Sequence, residues 1–83
     1  MAKLVLARCA RRELLELNWP LIDAIENALG LLEREPQAGH ALRGKLHGIY
    51  LLRVGAYRIL YQLTDSGQTV RVAAIRHRAI AYI

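Results

Sequence analysis

The chain predicts an α+β domain in which two N-terminal helices pack on one face of a small antiparallel sheet. Three observations carry this expectation. Apolar residues recur at helical spacing between residues 8 and 34, and the period changes to strand-like alternation after residue 45. Glycine-bearing turns at 55–56 and 65–68 then divide the C-terminal half into three strands.

Residues 3–7, "KLVLA", form an apolar run long enough for a strand but too short for a helix. From Arg8 to Asn18, Ala10, Leu14 and Leu17 share one helical stripe, with Arg11, Arg12, Glu13 and Glu16 on the wet side. Asn18 before Trp19-Pro20 reads as a stop and restart, because Asn suits a helix cap and Pro suits a first turn. A second helix follows on Leu21, Ile25, Ala28 and Leu32, with Ile22 and Leu29 alongside, and ends near Arg34 because Pro36 breaks it. Residues 36–45, "PQAGHALRGK", read as a surface connection. Strands are expected at about 46–54, 57–64 and 69–76, giving a strand, two helices and a three-stranded meander.

Eighty-three residues suit a single domain spanning 1–83. The composition is 54% hydrophobic without low-complexity tracts, which favours a folded chain. No apolar run approaches the ~20 residues needed to cross a bilayer, and Lys3, Arg8, Arg11 and Arg12 interrupt any leader-like stretch, so a soluble, cytoplasmic protein is expected. Cys9 is the single cysteine, which excludes an internal disulfide, and its apolar neighbourhood suggests a small buried residue.

The net charge of +5 is unevenly distributed. Residues 1–39 balance at −1, whereas 40–83 carry Arg43, Lys45, Arg53, Arg58, Arg71, Arg76 and Arg78 against Asp65 alone, a balance of +6. Arginine suits forked contacts with phosphate, so a nucleic acid or an acidic protein is the expected partner.

A Gly55-Ala56 turn would set Arg53 directly opposite Arg58. Continuing the alternation gives a core face of Tyr50, Leu52, Val54, Ile59, Tyr61, Leu63, Val70, Val72 and Ala74. The other face would hold His47, Ile49, Leu51, Arg53, Arg58, Leu60, Gln62, Arg71, Ala73, Ile75 and His77. Like charges facing each other in a sheet destabilise it, so an anion bound between Arg53 and Arg58 would resolve the conflict; alternatively the two stems splay into water.

The three histidines, His40, His47 and His77, lack metal-site spacing, no phosphate-binding glycine loop is present, and no cofactor or metal is expected. Most acids belong to the wet sides of the helices. The C-terminal "IRHRAIAYI" places Arg76, His77 and Arg78 together with Tyr82 nearby, combining groups that stabilise phosphate charge with groups that move protons.

"LRGK" at 42–45, "YRILYQL" at 57–63 and "IRHRAIAY" at 75–82 resemble the toxins of the RelE/ParE superfamily of type II toxin-antitoxin systems. The resemblance implies a RelE-like fold, here without the C-terminal helix of many relatives, and a metal-independent endoribonuclease (an mRNA interferase) that cuts mRNA, commonly on the ribosome. In that chemistry the ribose 2′-hydroxyl attacks the adjacent phosphate and leaves a 2′,3′-cyclic phosphate. By position, Arg58 matches the contact to the scissile phosphate, Arg53 the basic residue of the preceding strand, and Arg78 the group assisting departure or the transition state. Tyr82 matches a tyrosine acting on the 2′-hydroxyl, with His77 or His47 as alternative proton carriers. Arg43, Lys45, His47, Arg71 and Arg76 would add RNA contacts. The chain departs from the pattern at Leu51, where ribosome-dependent relatives often carry a base, and at Arg76, where glycine is common. The resemblance also implies a cognate antitoxin as partner. It leaves open a ParE-like inhibitor of DNA gyrase and a catalytically inactive antitoxin-binding or RNA-binding module.

Overall fold

A computed structural model describes residues 1–78. The elements run β1 (Lys3–Leu6), α1 (Arg8–Leu15), α2 (Leu21–Arg34), β2 (His40–Ala41), a 3-10 turn (Gly44–Leu46), β3 (Ile49–Val54), β4 (Tyr57–Thr64) and β5 (Thr69–His77). Two helices and one mixed sheet make up the expected α+β architecture, and among the described residues no helix follows β5. Among the described residues no helix is long and apolar enough to cross a membrane.

The sheet holds five strands in the order β1-β5-β4-β3-β2. The meander β3-β4-β5 forms its centre, β1 lies parallel to β5 at one edge, and the two-residue β2 pairs antiparallel with β3 at the other. Strand β2 falls within the stretch expected as a bare connection. It is anchored by Tyr61, whose hydroxyl accepts the Gly39 N–H at 3.0 Å and donates to the Pro36 carbonyl at 2.9 Å. A side chain at residue 39 could not fit, since a Cβ there would lie 2.7 Å from both the Leu51 carbonyl oxygen and the Tyr61 hydroxyl.

Helix α1 ends at Leu15 rather than Asn18, its last turn tightening as Leu17 N–H bonds to the Leu14 carbonyl at 3.2 Å. Asn18 does not cap α2 with its side chain; its backbone carbonyl instead accepts the Ile22 N–H at 3.0 Å. Residues 46–48 do not join β3, because His47 N–H turns back to the Gly44 carbonyl at 3.1 Å.

Both helices cover one face of the sheet. Ala10 from α1 and Ile25, Leu29 and Leu32 from α2 close over Ile59, Tyr61, Val70, Val72 and Ile75, all buried. The expected stripes are correct, with Leu14, Leu17, Leu21 and Ala28 half-buried against this core. Leu51, Leu60 and Ala74 form a second, smaller buried cluster flanked by Leu42 and Ile49. The register places it on the sheet face opposite the helices.

The register departs from strict alternation at one point. Leu60 pairs with Ala74 but Tyr61 pairs with Val72, so Ala73 is an extra residue and β5 carries a bulge. Beyond it every side chain changes face. Ala74, expected in the helix-facing core, belongs to the second cluster, and Ile75, expected on the arginine face, is only 2% exposed in the main core. His77, also expected beside the arginines, pairs with Tyr57 on the helix side. Burying isoleucine instead of alanine in the main core is the physical gain.

Candidate functional site

Gly55 adopts a positive φ of 59°, which turns β3 into β4 in two residues and fixes the pairs Val54 with Tyr57 and Arg53 with Arg58. The bulge then brings Arg76 opposite Arg58 on the other side. Arg53, Arg58 and Arg76 therefore form one cross-strand row on the helix-free face, spanning about 10 Å over two strand spacings. Arg53 is exposed, and Arg58 and Arg76 are half-buried. Arg78 joins this end of the sheet, since its backbone N–H donates to the Ala56 carbonyl in the turn at 2.8 Å and its side chain is exposed.

The remaining cations gather at the far end of the same face. Arg71 pairs with Gln62, four residues along β4 from Arg58, or about 13 Å at the usual rise per strand residue. Arg43, Lys45 and His47 are exposed on the loop between β2 and β3, which Leu42 N–H closes onto the Ile49 carbonyl at 2.8 Å. Two basic zones thus flank the apolar strip of Leu51, Leu60 and Ala74. Of the expected site residues, the structure brings Arg53, Arg58, Arg76 and Arg78 together and sets Arg43, Lys45, His47 and Arg71 apart from them. His77 stands on the opposite face, its ring edge-on to Tyr57 with centroids 5.3 Å apart. Tyr82 lies outside the described residues.

Two residues escape the sequence reading. Glu13 is not a solvated helix acid: one carboxylate oxygen accepts the Ile75 N–H at 2.8 Å, and the other accepts Nε of Arg76 at 3.1 Å. Cys9 is exposed rather than buried, with Sγ 3.7 Å from Nη2 of Arg76. These contacts with Cys9 and Glu13 hold the Arg76 guanidinium still more firmly protonated than usual. Only the short length of β1 beside the longer β5 hints that a side chain must complete this edge. On the helix side of that edge, Glu13, Glu16, Leu17, Tyr57, Arg76 and His77 line an open cleft of about 260 Å³.

Arginines converging on one sheet face at a hairpin can grip a phosphodiester and stabilise charge developing on it. Comparison with known proteins identifies the family. Residues 4–82 match the family described as "ParE toxin of type II toxin-antitoxin system, parDE". The chain is 41% identical over 75 residues to Toxin RelG of Mycobacterium tuberculosis, covering 88% of this chain and 86% of that protein. Its fold is similar to that in the crystal structure of the toxin-antitoxin complex RelBE2 from Mycobacterium tuberculosis, with a TM-score of 0.82 and 37% identity over 93% of this chain and 98% of the other. The isolated E. coli RelE toxin shares the fold at a TM-score of 0.79 and 22% identity, covering 93% of this chain and 84% of that one. The chain belongs to the ParE toxin family of type II toxin-antitoxin systems, within the RelE/ParE superfamily.

Proposed function

We propose that the protein is a RelE-like endoribonuclease that cleaves mRNA, in association with the ribosome, through attack of the ribose 2′-hydroxyl on the neighbouring phosphate. The observation that carries this reading is the row of Arg53, Arg58 and Arg76 at the hairpin end, with Arg78 tied to the turn. Guanidinium groups set side by side on one face suit forked contacts with a phosphate. Arg58, at its centre, contacts the scissile phosphate and stabilises the charge that builds on the non-bridging oxygens as the new bond to phosphorus forms. Tyr82, as its phenolate, takes the proton of the 2′-hydroxyl, and Arg78 donates a hydrogen bond to the departing 5′-oxygen, which takes its proton from water. His77, on the far face, is the weaker candidate for proton transfer. Arg43, Lys45, His47 and Arg71 hold the strand beyond the cut. No metal enters the scheme.

The antitoxin is proposed to neutralise the protein by laying an acidic or amphipathic segment over the two basic zones. Support comes from the similar RelBE2 structure, itself a toxin-antitoxin complex. Purified protein with translating ribosomes should yield mRNA fragments ending in a 2′,3′-cyclic phosphate, and Arg58→Ala should abolish them. Intact mRNA with the wild-type protein overturns the reading. The match to the ParE description favours a second one, inhibition of DNA gyrase without nuclease activity. Blocked supercoiling in the absence of RNA cleavage would establish it.

A further inference from the structure

Strand β1 pairs with β5 only as far as Leu6 opposite Val72, and Ala7 N–H closes the pairing on the Val72 carbonyl at 2.9 Å before α1 begins. β5 continues to His77, and among the described residues no strand pairs with its outer edge beyond Val72. Ile75, 2% exposed, presents its N–H on that edge. Glu13 of α1 supplies the acceptor a neighbouring strand would have supplied, and its second oxygen takes Nε of the next residue, Arg76. With Sγ of Cys9 3.7 Å from Nη2, the Nε and Nη2 side of the guanidinium faces α1. Among the described residues, Nη1 has no hydrogen-bond partner.

We propose that Glu13 is a positioning residue for RNA cleavage: it fixes Arg76 through Nε, so that Nη1 is offered as a pre-oriented donor to the RNA phosphate held by Arg58. This rests on the ribonuclease reading. Glu13 also sets a negative charge beside the guanidinium that stands opposite Arg58. A half-buried arginine ion pair holds its geometry better than an exposed one, and an oriented donor loses less freedom when the anion arrives.

Glu13→Gln separates this role from a purely structural one. Its amide oxygen can still accept the Ile75 N–H, but the –NH2 group cannot accept from Nε. Wild type, Glu13→Gln, Arg76→Gln and the double variant are compared for RNA cleavage, for binding of a non-cleavable 2′-O-methyl RNA, and for thermal unfolding. Glu13→Gln should melt like wild type yet lose roughly tenfold in kcat, less than the about 10²-fold that outright loss of a transition-state donor costs, because Arg76 remains but is less well placed. In the Arg76→Gln background the same change should have no further effect. Equal losses in both backgrounds, or wild-type cleavage by Glu13→Gln while Arg76→Gln is impaired, overturn the positioning role alone. Wild-type protein that neither binds nor cuts RNA overturns the ribonuclease reading and this inference with it. Should Glu13→Gln fail to fold, the wild-type Arg76 Nε–H resonance decides. Protection from exchange that persists on adding the 2′-O-methyl RNA supports the clamp, and an exchanging or released Nε–H refutes it.

Discussion

Arg53→Gln should make the domain more stable while making it a poorer ligand for RNA. Arg53 is exposed and stands directly opposite Arg58. Directly opposed like charges cost about 0.2–1 kcal/mol, and exposure favours the lower half of that range, so removing one should gain about 0.5 kcal/mol. In a domain of this size that corresponds to roughly 2–4 °C in Tm. Glutamine keeps much of the arginine stem, so packing over the sheet changes little. The RNA effect has the opposite sign. Each phosphate contact to a single strand contributes about 0.7 to the slope of log affinity against log salt, so the variant's slope should be shallower by about that amount. Between 50 and 200 mM salt, wild type should therefore lose roughly 2.5-fold more affinity than Arg53→Gln. Urea denaturation and a salt titration with 2′-O-methyl RNA measure the two halves. Destabilisation would show that Arg53 serves the fold, and an unchanged slope with a gain in stability would show that it meets no phosphate.

Tyr61→Phe removes the hydroxyl shared by Gly39 N–H and the Pro36 carbonyl, and stranding these groups should cost about 1–3 kcal/mol, a Tm drop on the order of 10 °C. Burial is the main cause that pushes the Tyr61 pKa above 10.0, opposed by the Gly39 N–H and assisted by Tyr50. The neutral hydroxyl is thus favoured in the fold, and its contribution is full below pH 10 and lost as pH rises through the folded-state value; the stability gap between wild type and Tyr61→Phe should narrow on alkaline titration. Gly39→Ala, with its Cβ 2.7 Å from the Leu51 carbonyl oxygen and the Tyr61 hydroxyl, should push β2 off β3. The readouts are a loss of about 1–3 kcal/mol and faster hydrogen exchange at Leu42 N–H, which closes the basic loop; wild-type exchange would refute the clash.

Most of the fold was legible because hydrophobic period and turn chemistry are local signals. The stripe through Ile25 and Leu32 and the turn at Gly55 set α2 and the β3-β4 register without tertiary information. The Arg53 and Arg58 pair followed from that turn alone. What the sequence concealed depends on nonlocal closure. In "VRVAAIRH" four apolar residues run consecutively, so no alternation marks which alanine is the extra one, and no glycine announces the bulge. β2 is two residues long and held by a tyrosine far along the chain. Glu13 lies on a helix whose other charged residues, Arg8, Arg11 and Arg12, are exposed, and its task shows only once β1 stops short of the end of β5.

The bulge also explains how the fold can carry a row of like charges. In a β5 without Ala73 as the extra residue, strict alternation would send Ala74 to the helices and Ile75 and His77 to the open face. Arg76 would then point at the core. The bulged register buries Ile75 instead of Ala74, a difference of three carbons worth about 2 kcal/mol. Bringing Arg76 opposite Arg58 costs at most about 1 kcal/mol, less whatever Glu13 recovers. Core packing therefore outweighs electrostatic repulsion, and the hydrophobic effect acting at Ile75 sets the position of its cationic neighbour. Core packing at Ile75 thus places Arg76 in the row, and Glu13 offsets part of the repulsion it meets there.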